Sequence, residues 1–85
     1  MKIIFTSHFV KEYNKQEDDL QEEIDGKIGI LKNKENHQLL KVHKLKGKLK
    51  NQYSFSVNYK IRITFISLNK DEITLLDIGD HDVYK

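Results

Sequence analysis

Apolar and polar residues alternate along the last third of the chain, as expected of β-strands that cover a core with one face. Residues 53–57 and 60–68 follow this alternation, and residues 72–78 form a nearly continuous apolar run. Such a run is typical of a strand covered on both sides. The side chains predicted to face the core from the two alternating runs are Tyr53, Phe55, Val57, Ile61, Ile63 and Phe65. The runs are joined by only two and three residues, too few for a parallel crossover, so they predict an antiparallel meander.

The N-terminal part of the chain predicts a strand followed by two helices. Residues 2–6 indicate a short buried strand beside the meander, and Ser7 then offers a helix N-cap. A break near residues 14–16 separates a short helix from a longer one. The apolar stripe of the longer helix consists of Leu20, Ile24, Ile28 and Leu31. The expected fold is therefore α+β, in a single domain over residues 1–85: an N-terminal strand, a helical hairpin on one face of the sheet, and an antiparallel sheet of three to four strands.

Length and composition narrow the class of protein. Eighty-five residues make a small domain whose core supplies only about a few kcal/mol of net stability. The chain has no cysteine, which excludes disulfides and thiolate zinc sites. No apolar run approaches the roughly 18 residues that a membrane span needs, and the N-terminus carries no signal-peptide pattern. We therefore expect a soluble cytoplasmic protein with no membrane partner.

The net charge of +2 conceals three blocks of different sign. Residues 11–36 hold eight acids against five lysines, a balance of −3. Residues 37–70 hold seven lysines and one arginine with no acid, a balance of +8, and residues 71–85 hold five acids and one lysine, a balance of −4. The acid-free block is either a solvated basic surface or a surface that binds a polyanion, because clustered lysines displace counterions from nucleic-acid phosphates.

Arg62 stands out within this basic block, because the other fourteen cationic side chains of the chain are lysines. Lysine cannot reproduce the planar fork with which arginine holds two phosphate oxygens. The alternation of residues 60–68 directs Arg62 to the polar face of its strand, where it can meet a ligand. The alternative is a surface ion pair with an acid such as Asp77 or Asp82.

Two histidines are candidates for proton transfer near neutral pH. His43 begins the densest run of lysines, in an irregular segment that predicts an extended approach to the sheet with room for one short strand. His81 follows the last strand and precedes Tyr84 by three residues. A purely structural role for His81 stays open. His8 and His37 lie at a helix start and in a loop, where solvated side chains are expected.

An ordered set of motifs runs from the basic block almost to the last residue. It consists of H-K-L-K-G-K-L-K at residues 43–50, the following Tyr53, the strand K-I-R-I-T-F at residues 60–65, and L-L-D-I-G-D-H-D-V-Y at residues 75–84. This set resembles the RelE/ParE toxin superfamily, most closely its RelE, YoeB and YafQ ribonucleases. The resemblance covers about residues 39–84, and the order of the preceding elements agrees with it.

The resemblance implies the toxin of a toxin–antitoxin pair, an endoribonuclease that cleaves mRNA on the ribosome and is neutralised by a cognate antitoxin. Members of the family use neither a metal ion nor a cofactor. They activate a ribose 2′-hydroxyl against the adjacent phosphate, which leaves a cyclic phosphate and a 5′-hydroxyl.

Residue roles carry over by position in these motifs. His43 stands two residues before the leucine of L-K-G, where relatives place a base. Arg62 matches the strand arginine that holds the scissile phosphate. His81 matches the C-terminal histidine that protonates the leaving oxygen, and Tyr84 matches the terminal aromatic residue that orients or stacks on the substrate.

The sequence also departs from the family pattern. RelE relies on strand lysines and arginines, whereas Ser54 and Ser56 occupy the polar face of the first meander strand here. The residues expected to bind RNA in their place are Lys44, Lys46, Lys48, Lys50 and Lys60.

Two other functions are compatible with the sequence. One is a ParE-like toxin that inhibits DNA gyrase by binding it and has no nuclease activity. The other is an inactive member that only binds an antitoxin. RNA transesterification needs a base, cations around the phosphate and an acid for the leaving oxygen. Because a pure binder has no need of His43, Arg62, His81 and Tyr84 together, the ribonuclease is the favoured interpretation.

Overall fold

The computed structural model describes residues 2–33, 39–45 and 52–80, and these form five strands and two helices. In chain order the elements are β1 (Lys2–Phe5), α1 (Ser7–Asn14), α2 (Asp18–Leu31), β2 (His43–Lys44), β3 (Gln52–Ser56), β4 (Arg62–Asn69) and β5 (Glu72–Gly79). This order confirms the expected α+β fold, including the short strand before the meander. Among the described residues, no helix is long and apolar enough to cross a membrane.

The strands form one sheet in the order β1-β5-β4-β3-β2. The pairs β2–β3, β3–β4 and β4–β5 are antiparallel, as predicted, whereas β1 runs parallel to β5. The prediction that residues 2–6 form a buried strand is wrong, because Lys2 and Phe5 are exposed. β1 lies at an edge of the sheet, so only one of its sides has a neighbouring strand to cover it.

The core lies between the helical hairpin and one face of the sheet. Ile63 and Phe65 of β4 belong to the same buried cluster as Ile24 and Ile28 of α2. This packing confirms the predicted register of β4, since a shift of one residue would have turned its polar face to the helices. The other buried members of the cluster are Phe9, Leu31, Leu40, Phe55, Val57, Ile73, Leu75 and Ile78.

The apolar run of β5 has a different cause from the one predicted. Ile73, Leu75 and Ile78 are buried, but Leu76 and Asp77 are only partly buried, so this strand is not covered completely on both sides. The pairing of β4 with β5 shifts between Thr64 and Phe65, which leaves Leu76 as an extra residue on β5. This bulge interrupts the alternation and brings two leucines next to each other in the sequence.

Helix α1 begins one residue earlier than the sequence suggested. Thr6, not Ser7, is the N-cap, and its Oγ1 accepts a hydrogen bond of 3.1 Å from the backbone N–H of Phe9. The same hydroxyl donates to the carbonyl oxygen of Leu75 at 2.9 Å. Thr6 is therefore the better cap in this fold, because it also ties the start of the helix to β5.

A hydrogen bond of 2.8 Å from the Tyr13 hydroxyl to Asp25 Oδ1 joins the two helices. This bond to a carboxylate raises the pKa of Tyr13 above its usual value of 10.0, because ionised tyrosine cannot donate to the carboxylate and is repelled by it. A raised folded-state pKa stabilises the fold fully below the unfolded pKa, and the contribution is lost as the pH rises through the folded pKa.

We therefore expect Tyr13→Phe to lower the free energy of unfolding at neutral pH by at most about 0.5 kcal/mol, because solvent screens this exposed hydrogen bond. The difference from the wild-type protein should shrink once the pH exceeds the pKa of Tyr13. Urea unfolding of both proteins at neutral and strongly alkaline pH measures it. A difference that stays constant into the alkaline range would contradict the assigned hydrogen bond.

Candidate functional site

The sheet face opposite the helices carries a row of polar side chains that crosses four strands. The strand registers place His43 opposite Ser54, Ser54 opposite Thr64, and Thr64 opposite Asp77. Residues directly opposite one another in an antiparallel sheet share a face. Ser54 and Thr64 are buried, whereas His43 is exposed and Asp77 is partly exposed. The row therefore presents a titratable side chain at each end.

Arg62 lies in the neighbouring row, where it is opposite Ser56 on one side and Gly79 on the other. Its Nη1 donates a hydrogen bond of 3.1 Å to Ser56 Oγ. The side chain is partly buried, and its Nε is fully buried. Ser56 of β3 thus positions the guanidinium. In the sequence, this serine is notable only because relatives have a cation on this face.

His43 and Arg62 share this face, but their strands, β2 and β4, are not neighbours, because β3 lies between them. Two strand spacings of about 4.8 Å and an offset of two residues separate their Cα atoms, a distance of about 12 Å. Both side chains are long enough to extend into the gap between them. The sheet thus places an imidazole and a guanidinium on one face, with two strand spacings between them.

The connection before Arg62 is an ordered turn over residues 57–61. Asn58 Oδ1 accepts hydrogen bonds of 2.8 Å from the backbone N–H groups of Lys60 and Ile61. β4 starts at Arg62, so the predicted strand beginning at residue 60 starts two residues too early. Asn58 explains the later start, because its side chain accepts from the two N–H groups that would otherwise be available for pairing with a neighbouring strand. Lys60 is exposed in this turn, and Tyr59 beside it is 92% exposed.

The structure separates some of the predicted site residues. Lys44 lies opposite Tyr53, whose ring stacks on Phe65 at a centroid distance of 5.5 Å. The register thus places Lys44 on the core face of the sheet, away from His43. Five predicted residues lie outside the described part of the chain: Lys46, Lys48, Lys50, His81 and Tyr84.

A contact that the sequence did not predict joins α1 to the end of the polar row. His8 Nε2 lies 3.0 Å from Asp77 Oδ1, and the same oxygen accepts a hydrogen bond from the backbone N–H of Ile78. His8 was expected to be solvated. Its side chain is exposed, but it has a carboxylate partner 69 residues away in the chain. Asp77, which the sequence suggested as a partner for Arg62, therefore has contacts at the edge of the sheet. The other suggested partner, Asp82, is outside the described residues.

The charges around the turn indicate which side suits an anion. A cleft of about 540 Å³ separates the turn from the start of α2. Three acids (Glu17, Asp19 and Glu23) and two lysines (Lys15 and Lys60) line this cleft, so its charge is mixed with an excess of one acid. The polar face of the sheet carries Arg62 instead and is the better surface for an anionic ligand. In the described ranges, no three histidine, aspartate or glutamate side chains lie close enough to hold a metal ion.

Solved structures of several bacterial toxins share this arrangement of strands and helices. A copper-bound mutant toxin from Helicobacter pylori matches with a TM-score of 0.74 and 22% identity, over 100% of this chain and 99% of that one. YoeB–YefM, a heterotetrameric toxin–antitoxin complex from Staphylococcus aureus, contains a chain that matches at 0.71 and 22%, over 95% and 97% of the two chains. YafQ from Escherichia coli matches at 0.74 and 14%, over 96% and 94%. No protein-family profile and no curated protein matches the sequence.

Proposed function

We propose, since the chain has the fold of the RelE/YoeB-like toxins, that it is the toxin of a toxin–antitoxin pair and cleaves mRNA on the ribosome in the cytoplasm. The observation that carries this proposal is the position of Arg62. It is the chain's one arginine, it is held by Ser56, and it shares the polar sheet face with His43. A protein that needed only to bind a partner would not need an anchored guanidinium and an imidazole on the same face of the sheet.

The proposed reaction is a transesterification within the RNA. His43 takes the proton of a ribose 2′-hydroxyl, and the 2′-oxygen forms a bond to the adjacent phosphorus. The bond from phosphorus to the 5′-oxygen breaks, and His81 gives that oxygen a proton. Arg62 stabilises the extra negative charge of the pentacoordinate phosphate with two parallel N–H donors. The products are a 2′,3′-cyclic phosphate and a 5′-hydroxyl. Tyr84 orients the substrate.

The partners in this proposal are mRNA on the ribosome and a cognate antitoxin. YoeB of Staphylococcus aureus, which has the same fold, is found with the antitoxin YefM. The basic block of residues 37–70 supplies the charge for the RNA. Within it, Lys60 lies in the turn two residues before Arg62, and Lys46, Lys48 and Lys50 complete the proposed contacts with phosphate. Lys44 lies on the other face of β2. We expect it to attract RNA through its long-range positive charge and not to contact the phosphate that Arg62 binds.

The decisive experiment is cleavage of a defined mRNA on purified translating ribosomes by the full chain. We expect new ends within the coding region, with a 5′-hydroxyl that accepts a labelled phosphate without prior phosphatase treatment. Coexpression with a small acidic protein encoded beside this chain should restore growth. Intact mRNA together with inhibition of DNA gyrase would replace this proposal with a ParE-like function. Intact mRNA with antitoxin binding alone would leave an inactive member.

The basic block gives a second test, on binding alone. Replacing Lys46, Lys48 and Lys50 together by glutamate should weaken RNA binding and flatten its dependence on salt, because fewer counterions are released. Filter binding or fluorescence anisotropy across a salt series measures both effects. The matched control replaces Lys11, Lys27 and Lys32 of the helical hairpin by glutamate, which changes the net charge equally. A similar loss in both variants would mean that net charge alone, and no particular surface, governs binding.

A further inference from the structure

The loop between β3 and β4 carries an aromatic ring at its tip. The backbone N–H of Val57 donates to the carbonyl oxygen of Ile61 at 2.8 Å, which closes a loop over residues 58–60. Tyr59 is the middle residue, and it is 92% exposed, more than any other large apolar side chain in the described part of the chain. A tight loop favours residues such as asparagine and glycine at its tip. Neither the core nor the turn therefore accounts for this ring.

The backbone on both sides of the ring is fixed by Asn58. Its Oδ1 accepts hydrogen bonds of 2.8 Å from the backbone N–H groups of Lys60 and Ile61. Its own backbone N–H donates to the carbonyl oxygen of Ile61 at 3.4 Å. These bonds position Tyr59 before any ligand arrives, and such preorganisation lowers the entropy cost of binding.

Cationic side chains follow the ring along the chain. Lys60 is exposed in the loop, and Arg62 is anchored to Ser56 at the start of β4. Three residues of extended chain span at most about 10 Å, so the Cα atoms of Tyr59 and Arg62 lie within that distance. Aromatic rings interleaved with cations are typical of surfaces that bind single-stranded nucleic acid, where the cations hold phosphates and the bases stack on the rings.

The cleft beside the loop suits a base better than a phosphate. Tyr59 and Lys60 line this cleft together with three acids and Lys15. The ammonium of Lys15 lies 3.2 Å from Glu12, which offsets part of its charge. An excess of acid disfavours a phosphate but does not oppose a neutral nucleobase. A nucleotide at this corner of the sheet would therefore direct its phosphate to Arg62 and its base to the loop.

We propose that Tyr59 stacks on a nucleobase of the mRNA next to the phosphate that Arg62 holds. The inference rests on the proposed function, and it adds a positioning residue that none of the sequence motifs assigns. A phosphate on Arg62 and a base on Tyr59 are two fixed points, and together they set the direction of the strand across the sheet. Because every base has a flat face, the contact accepts any of the four bases.

Tryptophan fluorescence tests the stacking separately from cleavage. The chain has no tryptophan, so Tyr59→Trp introduces a single reporter at an exposed position. The ligand is a single-stranded RNA whose 2′-hydroxyls are all methylated, which prevents transesterification. We expect saturable quenching as this RNA is added. The matched control is Phe5→Trp, which places the reporter at another exposed aromatic position on β1, beyond β5, and should not be quenched.

Removing the bases from the RNA identifies what the ring binds. Tyr59→Ala should bind the methylated RNA at least about fivefold more weakly, whereas Tyr59→Phe keeps a ring and should stay within about twofold of wild type. An oligonucleotide of the same length and charge but without bases should bind the wild-type chain and Tyr59→Ala equally, because its phosphates remain. Equal weakening with both oligonucleotides would mean that the ring supports phosphate contacts, and the proposal fails.

The outcomes separate this inference from the proposed function. Absence of quenching in Tyr59→Trp, with unchanged binding by Tyr59→Ala, overturns the stacking even if the wild-type chain cleaves mRNA on ribosomes. Quenching that depends on the bases, in a chain that cleaves nothing, supports the stacking and removes the nuclease instead. On ribosomes, Tyr59→Ala should weaken binding only when mRNA is present. Equal weakening on ribosomes without mRNA, or quenching by an antitoxin and not by RNA, would assign the ring to that other partner and overturn the proposal.

Discussion

His81→Ala should lower mRNA cleavage on ribosomes by about two to four powers of ten, the usual contribution of one positioned proton-transfer group. The proposed role of His81 is to protonate the 5′-oxygen as it leaves the phosphorus. Without that proton an alkoxide must depart, which is slow near neutral pH. Because β5 ends at Gly79, the substitution falls beyond the last strand of the sheet and should change the melting temperature little.

The measurement pairs cleavage with thermal melting and RNA binding on the same purified variant. Binding should change much less than cleavage, since Arg62 and the lysines remain. His8→Ala is the matched control: it removes a different histidine, which is exposed and pairs with Asp77, and should cleave normally. Full cleavage by a well-folded His81→Ala protein would remove this residue from the mechanism and make Tyr84 the candidate acid. Loss of cleavage together with a collapsed melting temperature would assign His81 a structural role.

Arg62→Lys should also impair cleavage, by about two to three powers of ten, the range for removing one preorganised donor to a developing charge. The substitution keeps the positive charge but loses the planar fork that holds two phosphate oxygens. A lysine at this position also loses the geometry with which Nη1 reaches Ser56 Oγ. The expected defect lies in the rate of the chemical step, so single-turnover cleavage at saturating ribosome concentration is the appropriate assay.

Two further variants separate chemistry from charge in this prediction. Lys70→Ala removes an exposed cation of the same basic block at the far end of β4, and cleavage should stay within about twofold of wild type because the field of one screened surface charge is weak there. Ser56→Ala should slow cleavage moderately in the wild-type background but not in Arg62→Ala, since residues that act as a unit are not additive. Cleavage by Arg62→Lys within about twofold of wild type, as expected for Lys70→Ala, would mean that Arg62 contributes charge alone, because the lysine keeps that charge.

Strand alternation was sufficient to predict which face of β4 packs against the helices. It placed Ile63 and Phe65 toward the helices and Arg62 on the other face, because side chains repeat every two residues along a strand. It could not predict that β1 lies at an edge and runs parallel to β5, since the pattern of one strand does not identify its neighbours. The bulge at Leu76 likewise escaped prediction, because an inserted residue makes a half-buried strand look continuously apolar.

The sequence motifs identified candidate site residues by type and position. They did not predict which distant segments of the chain come into contact around those residues. Arg62 was identified by residue type and strand position. Its contact with Ser56 follows from the pairing of β3 with β4, which the hairpin pattern implies but does not align. The pair of His8 with Asp77 had no local signal at all, because it depends on where the start of α1 meets β5.

The pairing of β1 with β5 has a consequence for when the fold can form during synthesis. Thr6 at the end of β1 and its partner Leu75 are 69 residues apart in the chain. At about 5–20 residues per second, β1 waits several seconds for β5 to be synthesised, and pairings of such long range form late. Arg62 gains its neighbour Gly79 only at that stage. A ribosome that translates this message therefore carries a nascent chain without the complete sheet until β5 has been synthesised.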